Sequence, residues 1–198
     1  MAEATEIPVV AVLAGPNGAG KTTTSRAVLQ GALEVQEFVN ADTIAVGLSA
    51  FNPEAAAMAA GRIMLARLQT LADQRASFAF ETTLASRSFA PFLRQRQAEG
   101  YRFHLIFLSL PSPELAIARV RERVQRGGHH VPDEIVRRCY AGGLRNFFTL
   151  YRPIADSWRL YDNVDRRRRR PFARRRVGEP GETILDLASW NHLLEQSR

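Results

Sequence analysis

The sequence predicts an α/β fold, a three-layer sandwich in which helices cover both faces of a mostly parallel β-sheet. First, residues 7–13 (IPVVAVL) are continuously apolar and largely β-branched, which is typical of a strand buried on both faces. Second, further apolar runs alternate with segments of helical pattern that are about 10 to 20 residues long. Because adjacent parallel strands need a crossover connection, this alternation indicates right-handed βαβ units.

Patterns typical of strands and of helices alternate along the chain. Runs of strand character occur at residues 7–13, 38–40, 77–82 (SFAFET), 101–110 (YRFHLIFLSL) and 159–163. Helices are predicted near Lys21, from Pro53 onward, at 113–126 and 132–150, and near Trp190. Pro53 and Glu54 are helix start signals, and Met64, Leu68 and Leu71 then follow at the spacing of one helix face.

Length and composition point to one domain that spans residues 1–198, with 45% hydrophobic and 24% charged residues. The single cysteine, Cys139, excludes an internal disulfide framework and a cysteine-based metal cluster, and it suits a reducing compartment. The N-terminus lacks the basic region of a signal peptide, and no apolar stretch reaches ~18 residues. We therefore expect a cytoplasmic protein without a membrane span.

The basic character belongs to one segment. Eight arginines lie between Arg166 and Arg176, and without them the net charge of +7 becomes −1. The sequence predicts an Arg-rich loop at about residues 165–177, outside the core. Such a run can bind nucleic acid or another anionic surface through phosphate contacts, but a solvated, self-repelling loop is the favoured interpretation.

The only lysine among the 27 basic residues, Lys21, lies in the motif G-x-x-x-x-G-K-[ST] at residues 15–22. The motif stands between a buried strand and a helix start, where glycines let backbone N–H groups turn toward a triphosphate. Lys21 is expected to reach the β- and γ-phosphates, and the Thr22 hydroxyl is expected to ligate Mg²⁺. The predicted nucleotide-binding residues are Gly15, Asn17, Gly18, Ala19, Gly20, Lys21, Thr22 and Thr23.

A phosphate-binding loop does not fix the reaction. The wording GPNGAGKTT is typical of ABC transporter ATPases, but the chain has no LSGGQ-like signature. Where such an ATPase carries Asp-Glu after a long strand, this chain has Ser109-Leu110. A GTPase is disfavoured as well, because N-K-x-D needs a second lysine.

Carboxylates follow two of the predicted strands, at the edge of the sheet that faces the ligand crevice. Asp42 is positioned to accept a proton from an acceptor hydroxyl or to hold the metal, and the alternative is a helix N-cap. Glu81 and Thr83 follow the third strand and are candidates to bind a sugar or another polyol. For them the alternative is an ordinary turn at a strand end.

A stripe of arginines suggests a lid. Arg119, Arg123 and Arg126 share one face of a predicted helix that leads into Gly127-Gly128-His129-His130. Cationic groups stabilise the charge on a transferring phosphoryl group, although a solvated helix face has the same pattern.

Five stretches in this order resemble the zeta toxin family of P-loop kinases: GPNGAGKTT, FVNAD, FAFETTL, HLIFLSLPSPELAIARVRERV and GGHHVPDEIVRRCY. The resemblance extends from about residue 9 to residue 163. It implies phosphorylation of a small molecule by ATP or GTP with Mg²⁺. For the best-known members the acceptor is the 3′-hydroxyl of the amino sugar of UDP-N-acetylglucosamine, and a small antitoxin protein commonly holds the toxin inactive.

The resemblance also implies roles for residues. Lys21 matches the P-loop lysine, Asp42 the general base, and Glu81 and Thr83 the acceptor-binding Glu-x-Thr. Arg119 or Arg123 matches the catalytic arginine of the lid helix. The family's second catalytic arginine lies in the lid loop. It matches either Arg126 or no arginine in this chain, and His129 lies near that position.

One position departs from the family. Its acceptor motif often continues with Arg two residues after the Thr, and here that position is Ala85, with Arg87 as the nearest substitute. The leading interpretation is a metabolite kinase. The alternatives are a kinase of nucleic-acid ends that uses Arg166–Arg176, and a P-loop ATPase that transfers phosphate only to water.

Overall fold

A seven-stranded sheet forms the centre of the computed structural model, which describes residues 7–25, 33, 35–164 and 171–198. The strands are β1 (Val9–Ala14), β2 (Glu37–Val39), β3 (Phe78–Thr82), β4 (Arg102–Ser109), β5 (Ser157–Asp162), β6 (Pro171–Arg175) and β7 (Thr183–Ile184). Their order is β2-β3-β1-β4-β5-β6-β7. The first five strands pair in parallel, whereas β6 and β7 join antiparallel at one edge.

Helices cover both faces of the sheet. Helix α1 begins at Lys21 and is described as far as residue 25. The others are α2 (Ala41–Leu48), α3 (Ala57–Asp73), α4 (Phe89–Ala98), α5 (Pro113–Gln125), α6 (Asp133–Asn146), α7 (Arg152–Ile154) and α8 (Leu187–Gln196), with a π-helical turn at Phe147–Tyr151 between α6 and α7. Within the described ranges no helix has the length and apolarity needed to cross a bilayer.

The predicted fold class is confirmed, while several elements differ from their predictions. Helices α2 and α4 had no counterpart in the predicted order, and the helix expected from Pro53 begins at Ala57. The prediction of an Arg-rich loop is wrong for Pro171–Arg175, because these residues form strand β6. The reason is the pair Phe172 and Ala173, whose side chains are buried in the core despite the arginines around them. Residues 165–170 of the predicted loop lie outside the described part of the chain.

An aromatic cluster fixes the π-helical turn against the sheet. The ring of Phe147 lies 4.8 Å from that of Phe107 in β4 and 6.0 Å from that of Trp158 in β5. Trp158 stacks on Trp190 of α8 at 5.9 Å, and the Arg152 guanidinium lies 5.3 Å from the Trp190 ring. Edge-to-face and stacked pairs at these separations stabilise a core beyond the area they bury.

The same helical segment holds the loop that follows β3. The Asn146 side chain donates hydrogen bonds to the carbonyls of Leu84 (2.8 Å) and Ala85 (3.1 Å). The Tyr151 hydroxyl donates to the Ser86 carbonyl at 2.6 Å. Leu84 adopts φ 59°, an unusual left-handed conformation for a residue with a side chain. These bonds supply the constraint that such a conformation needs.

Gly143 permits this close approach of α6 to the loop. A Cβ at Gly143 would lie 2.2 Å from the carbonyl oxygen of Thr83, whereas a Cβ at Gly142 would have only ordinary contacts at 3.6 Å with Ala85. We expect Gly143→Ala to lower the free energy of unfolding by about 1 to 3 kcal/mol, because backbone must move to accommodate the methyl group. We expect Gly142→Ala to raise it by up to about 1 kcal/mol through helix propensity.

Urea denaturation of both variants checks this pair of predictions. Equal unfolding free energies for Gly143→Ala and Gly142→Ala would contradict the close packing of α6 on the loop.

Candidate active site

The P-loop turns between β1 and α1 and forms the base of a polar cavity of about 350 Å³. Six of the predicted nucleotide-binding residues line it: Asn17, Gly18, Gly20, Lys21, Thr22 and Thr23. The other two, Gly15 and Ala19, are not among its lining residues, and Ala19 is fully buried. Helix α5 packs directly on this turn, since a Cβ at Gly18 would lie 2.7 Å from the Ala116 carbonyl oxygen.

The Lys21 ammonium lies inside the turn and is 8% exposed. It donates to the carbonyls of Gly15 (2.9 Å) and Pro16 (3.0 Å), and it lies 3.8 Å from Oε1 of Glu81. Burial lowers the pKa of Lys21, and the Glu81 carboxylate opposes this shift. The side chain is therefore held inside the P-loop turn and lines the cavity above it.

Glu81 joins the P-loop to the end of β2. Its Oε2 accepts hydrogen bonds from the Thr22 hydroxyl at 3.0 Å and from the Asn40 amide at 2.8 Å. Burial raises the pKa of Glu81, while Lys21 lowers it by a smaller amount. Glu81 is predicted to bind the acceptor, and the structure shows its contacts with the P-loop and with Asn40.

Asn40 was not predicted to be a site residue. Its Oδ1 caps α2 by accepting from the backbone N–H groups of Asp42 (2.8 Å) and Thr43 (3.2 Å), while its Nδ2 donates to Glu81. The N-cap is therefore Asn40, and Asp42 lies in the first turn of α2 with an exposed side chain. An Asn two residues before a helical Asp was the signal available in the sequence.

A second cavity of about 640 Å³ adjoins the first one. It lies between the P-loop, the start of α2, the face of α3 and the β3–α4 loop, and Thr83 is among its lining residues. Four residues line both cavities: Asn17, Lys21, Asp42 and Glu81. The predicted base and the predicted acceptor-binding carboxylate thus lie at the boundary between a polar cavity on the P-loop and a larger cavity beside it.

Three arginines line the P-loop cavity but differ in their bonds: Arg119 and Arg123 in α5, and Arg126 at its C-cap. Arg119 donates to the carbonyls of Asn163 and Val164, both at 2.9 Å. Arg123 donates to the His129 carbonyl at 2.8 Å, and its Nε is buried without a hydrogen-bond partner among the described residues. Arg126 is exposed and pairs with Glu122 at 2.6 Å. Arg123 therefore keeps one N–H without a described partner beside the cavity, whereas Arg119 holds the turn after β5.

Two further residues lie near the site. His129, a predicted lid residue, lies beside a small cavity next to Asp42, with its ring 3.9 Å from Glu54. Asn163 was predicted only as a strand end, yet it is fully buried and donates to the Ala19 carbonyl of the P-loop. No local sequence pattern reveals a contact between residues 144 positions apart.

The residues present fit Mg²⁺ bound together with a nucleotide. The Thr22 hydroxyl lies in the P-loop cavity, and the Glu81 and Asp42 carboxylates line the same space. The described residues contain no cluster of three or more His, Cys, Asp or Glu side chains that could hold a metal by themselves. This is the usual situation for Mg²⁺, which takes few protein ligands and completes its shell with phosphate oxygens and water.

Sequence comparison finds two matches. The zeta toxin family model matches residues 48–168. An uncharacterized protein of Haemophilus influenzae is 30% identical over 126 residues, which cover 64% of this chain and 88% of that protein.

Solved structures with a similar fold include the following two. The AvrRxo1-ORF1:AvrRxo1-ORF2 complex with sulphate ions matches with a TM-score of 0.79 and 15% identity. The match covers 96% of this chain and 65% of the matched chain, slightly less than two thirds. The PezAT chromosomal toxin-antitoxin system of Streptococcus pneumoniae matches with a TM-score of 0.60 and 16% identity, covering 84% of this chain and 72% of that one. At these identities the likeness is one of fold.

Proposed function

Because the chain belongs to the zeta toxin family, we propose that it is a kinase that transfers the γ-phosphate of ATP or GTP to a hydroxyl group of a small-molecule acceptor. One observation supports this proposal most strongly. The P-loop cavity and the larger cavity meet at Asp42 and Glu81, so a donor in the first and an acceptor in the second would have their reacting groups at the same carboxylates.

On the donor side, backbone N–H groups of the P-loop and the Lys21 ammonium bind the β- and γ-phosphates. Arg123 and Arg126 line the same cavity and neutralise charge on the γ-phosphoryl group as it moves. The Thr22 hydroxyl would hold Mg²⁺, and the ion would supply neutralisation of phosphate charge.

On the acceptor side, the hydroxyl oxygen attacks the γ-phosphorus while the bond from that phosphorus to the β-phosphate oxygen breaks. The nucleoside diphosphate leaves, and Asp42 takes the proton of the hydroxyl group. Glu81 and Thr83 orient the hydroxyl compound, since both line the larger cavity. UDP-N-acetylglucosamine is one candidate acceptor, by analogy with the family.

An antitoxin protein is the partner that we propose. The Streptococcus pneumoniae structure with a similar fold is described as a toxin-antitoxin system.

We propose a cytoplasmic location, as expected from the sequence. A phosphoryl donor such as ATP or GTP agrees with that location.

A transfer assay tests the proposed function. Wild-type protein is incubated with Mg²⁺ and γ-labelled ATP or GTP, and with UDP-sugars, other metabolites or RNA as acceptors, and the products are resolved by mass. We expect a phosphorylated small molecule. Free phosphate alone across the panel would identify an ATPase instead, and labelled RNA ends would identify a nucleic-acid kinase.

The two arginines Arg119 and Arg123 should respond differently to substitution. We expect Arg123→Gln to lower kcat for transfer by about 10²-fold, because it removes a preorganised donor from the developing charge. We expect Arg119→Gln to act mainly on stability, since its bonds to Asn163 and Val164 hold the turn after β5. Steady-state kinetics and thermal unfolding of both variants separate these effects. A larger loss of kcat in Arg119→Gln would reverse the assignment.

Transfer activity should fall in mild acid because of Glu81. Burial raises the pKa of Glu81 above the ordinary value of 4.5, so this carboxylate takes up a proton before an exposed one does. The neutral form loses its attraction for Lys21 and part of its capacity to accept from Thr22 and Asn40. We expect kcat/KM to decrease as the pH falls through this raised pKa.

The same titration should not unfold the protein. A raised pKa means that the folded state binds the proton more tightly than the unfolded state, so the contribution of Glu81 to stability increases as the pH falls. Circular dichroism recorded with the pH-rate profile checks this. Loss of activity in step with loss of helix signal, or an unchanged acid limb in Glu81→Gln, would contradict a titration at Glu81.

A further inference from the structure

The larger cavity has a cationic side chain that the proposed mechanism does not use. Helix α3 presents Met58, Gly61, Arg62 and Leu65 to it, at positions i, i+3, i+4 and i+7 of one helix face. Arg62 and Lys21 are the only cationic residues that line this cavity within the described part of the chain. Lys21 is held inside the P-loop by its hydrogen bonds. Arg62 is therefore the cation that α3 contributes to the wall of this cavity.

Arg62 differs from the other arginine of the same helix. Arg67 pairs with Glu37 at 2.9 Å, whereas Arg62 makes no side-chain hydrogen bond or ion pair with any described residue. Its side chain is exposed. A guanidinium group presents a planar fork of N–H donors that matches the two oxygens of a carboxylate or phosphate. An unpaired fork on a cavity wall is suited to bind such a group.

Apolar side chains surround Arg62 on the cavity wall, so a ligand there also needs an apolar part. Met58 is 75% exposed and Leu65 is 48% exposed, and Phe89 at the start of α4 lines the same cavity. Ligand cavities typically combine such apolar walls with a few polar groups that fix orientation. Arg87, the nearest sequence substitute for the missing arginine at Ala85, is not among the lining residues.

We infer that Arg62 binds an anionic group of the acceptor, a phosphate or a carboxylate, at a point remote from the hydroxyl group that is phosphorylated. This inference rests on the proposed function, because it assigns the larger cavity to the acceptor. It narrows the acceptor to hydroxyl compounds that carry a negative charge, and it makes Arg62 a specificity-determining residue. Neutral sugars lack the group that Arg62 would bind.

Direct binding tests this inference without requiring turnover. Protein saturated with Mg²⁺ and a non-hydrolysable ATP analogue is titrated calorimetrically with N-acetylglucosamine, its 1-phosphate and UDP-N-acetylglucosamine, and with glucose, gluconate and glucose 6-phosphate. The analogue fills the P-loop, so that the anionic probes cannot bind there. The variants are Arg62→Gln, Arg62→Lys and, as the matched control on the same helix, Arg67→Gln.

We expect at least one anionic probe to bind wild-type protein about tenfold or more tightly than its neutral counterpart, the size of effect that one charged hydrogen bond gives. Arg62→Gln should abolish this preference, Arg62→Lys should retain part of it, and Arg67→Gln should retain all of it. No preference in wild-type protein, or a preference that persists in Arg62→Gln, would overturn the inference.

The outcomes also separate this inference from the proposed function. A preference that depends on Arg62, together with release of only free phosphate in the transfer assay, would leave the anion site in place and refute the kinase. Transfer to neutral and anionic acceptors with equal kcat/KM would support the kinase and refute the anion site. Equal melting temperatures of wild type and Arg62→Gln show that the variant is folded, as expected for an exposed side chain.

Discussion

Lys21→Ala is expected to lower kcat/KM for phosphoryl transfer by at least about 10³-fold, because preorganised cations of this kind provide much of the stabilisation of a transferring phosphoryl group. In the structure the ammonium is fixed by the carbonyls of Gly15 and Pro16 and by Glu81, so it needs little reorganisation to meet a phosphate. No other lysine exists in the chain, and Arg123 reaches the cavity from a different element.

Lys21→Met is the control for packing. It keeps most of the buried stem and removes the charge, so it should lose as much activity as Lys21→Ala while remaining closer to wild type in thermal stability. Initial rates with labelled donor and an acceptor found in the transfer assay provide the measurement. Retention of a tenth of the wild-type rate in either variant would show that Lys21 does not bind the transferring phosphate.

Asp42→Asn is expected to reduce kcat by about 10³-fold with a small change in KM, which is the size of effect attributed to a positioned general base. The change is isosteric, and the exposed Asp42 side chain is not the cap of its helix, so the fold should be unaffected. Single-turnover kinetics with saturating donor isolate the chemical step from product release.

Asp186→Asn is the matched control for Asp42→Asn. Asp186 caps α8 by accepting from the N–H groups of Ala188 and Ser189, far along the chain from the P-loop. This variant should change kcat by less than about twofold, since surface substitutions away from a site have small effects. A decrease in kcat of less than about tenfold in Asp42→Asn would show that Asp42 is not the general base, because positioned acid–base groups contribute more than that.

Local patterns predicted the parts of the site that depend on one short stretch of chain. The P-loop needs only a buried strand, glycines, a lysine and a helix start, and all of these lie between residues 9 and 25. Asp42 and Glu81 could be placed together because the carboxyl ends of parallel strands meet at one edge of a sheet. The structure brings both to the rim of the P-loop cavity.

Contacts between distant segments were beyond these patterns. The bonds of Arg119 to Asn163 and Val164 depend on how α5 crosses the end of β5, which the helix periodicity does not specify. Arg62 likewise carried no signal, because an arginine near an exposed helix face is the commonest kind of arginine. The strand at Pro171–Arg175 was hidden because its two buried residues, Phe172 and Ala173, stand within a run of arginines.

The packing of α5 on the P-loop has a consequence for how the nucleotide exchanges. Ala116 lies against Gly18, and Arg119 is bound to the turn after β5, so the first two turns of α5 belong to the rigid frame of the donor site. The stretch after Arg123 is joined to α5, because Arg123 donates to the His129 carbonyl and Gly127 turns the chain with φ 81° just after the helix. If the chain transfers phosphate as we propose, we expect the nucleoside diphosphate to leave past this stretch while the first two turns of α5 stay packed on the P-loop.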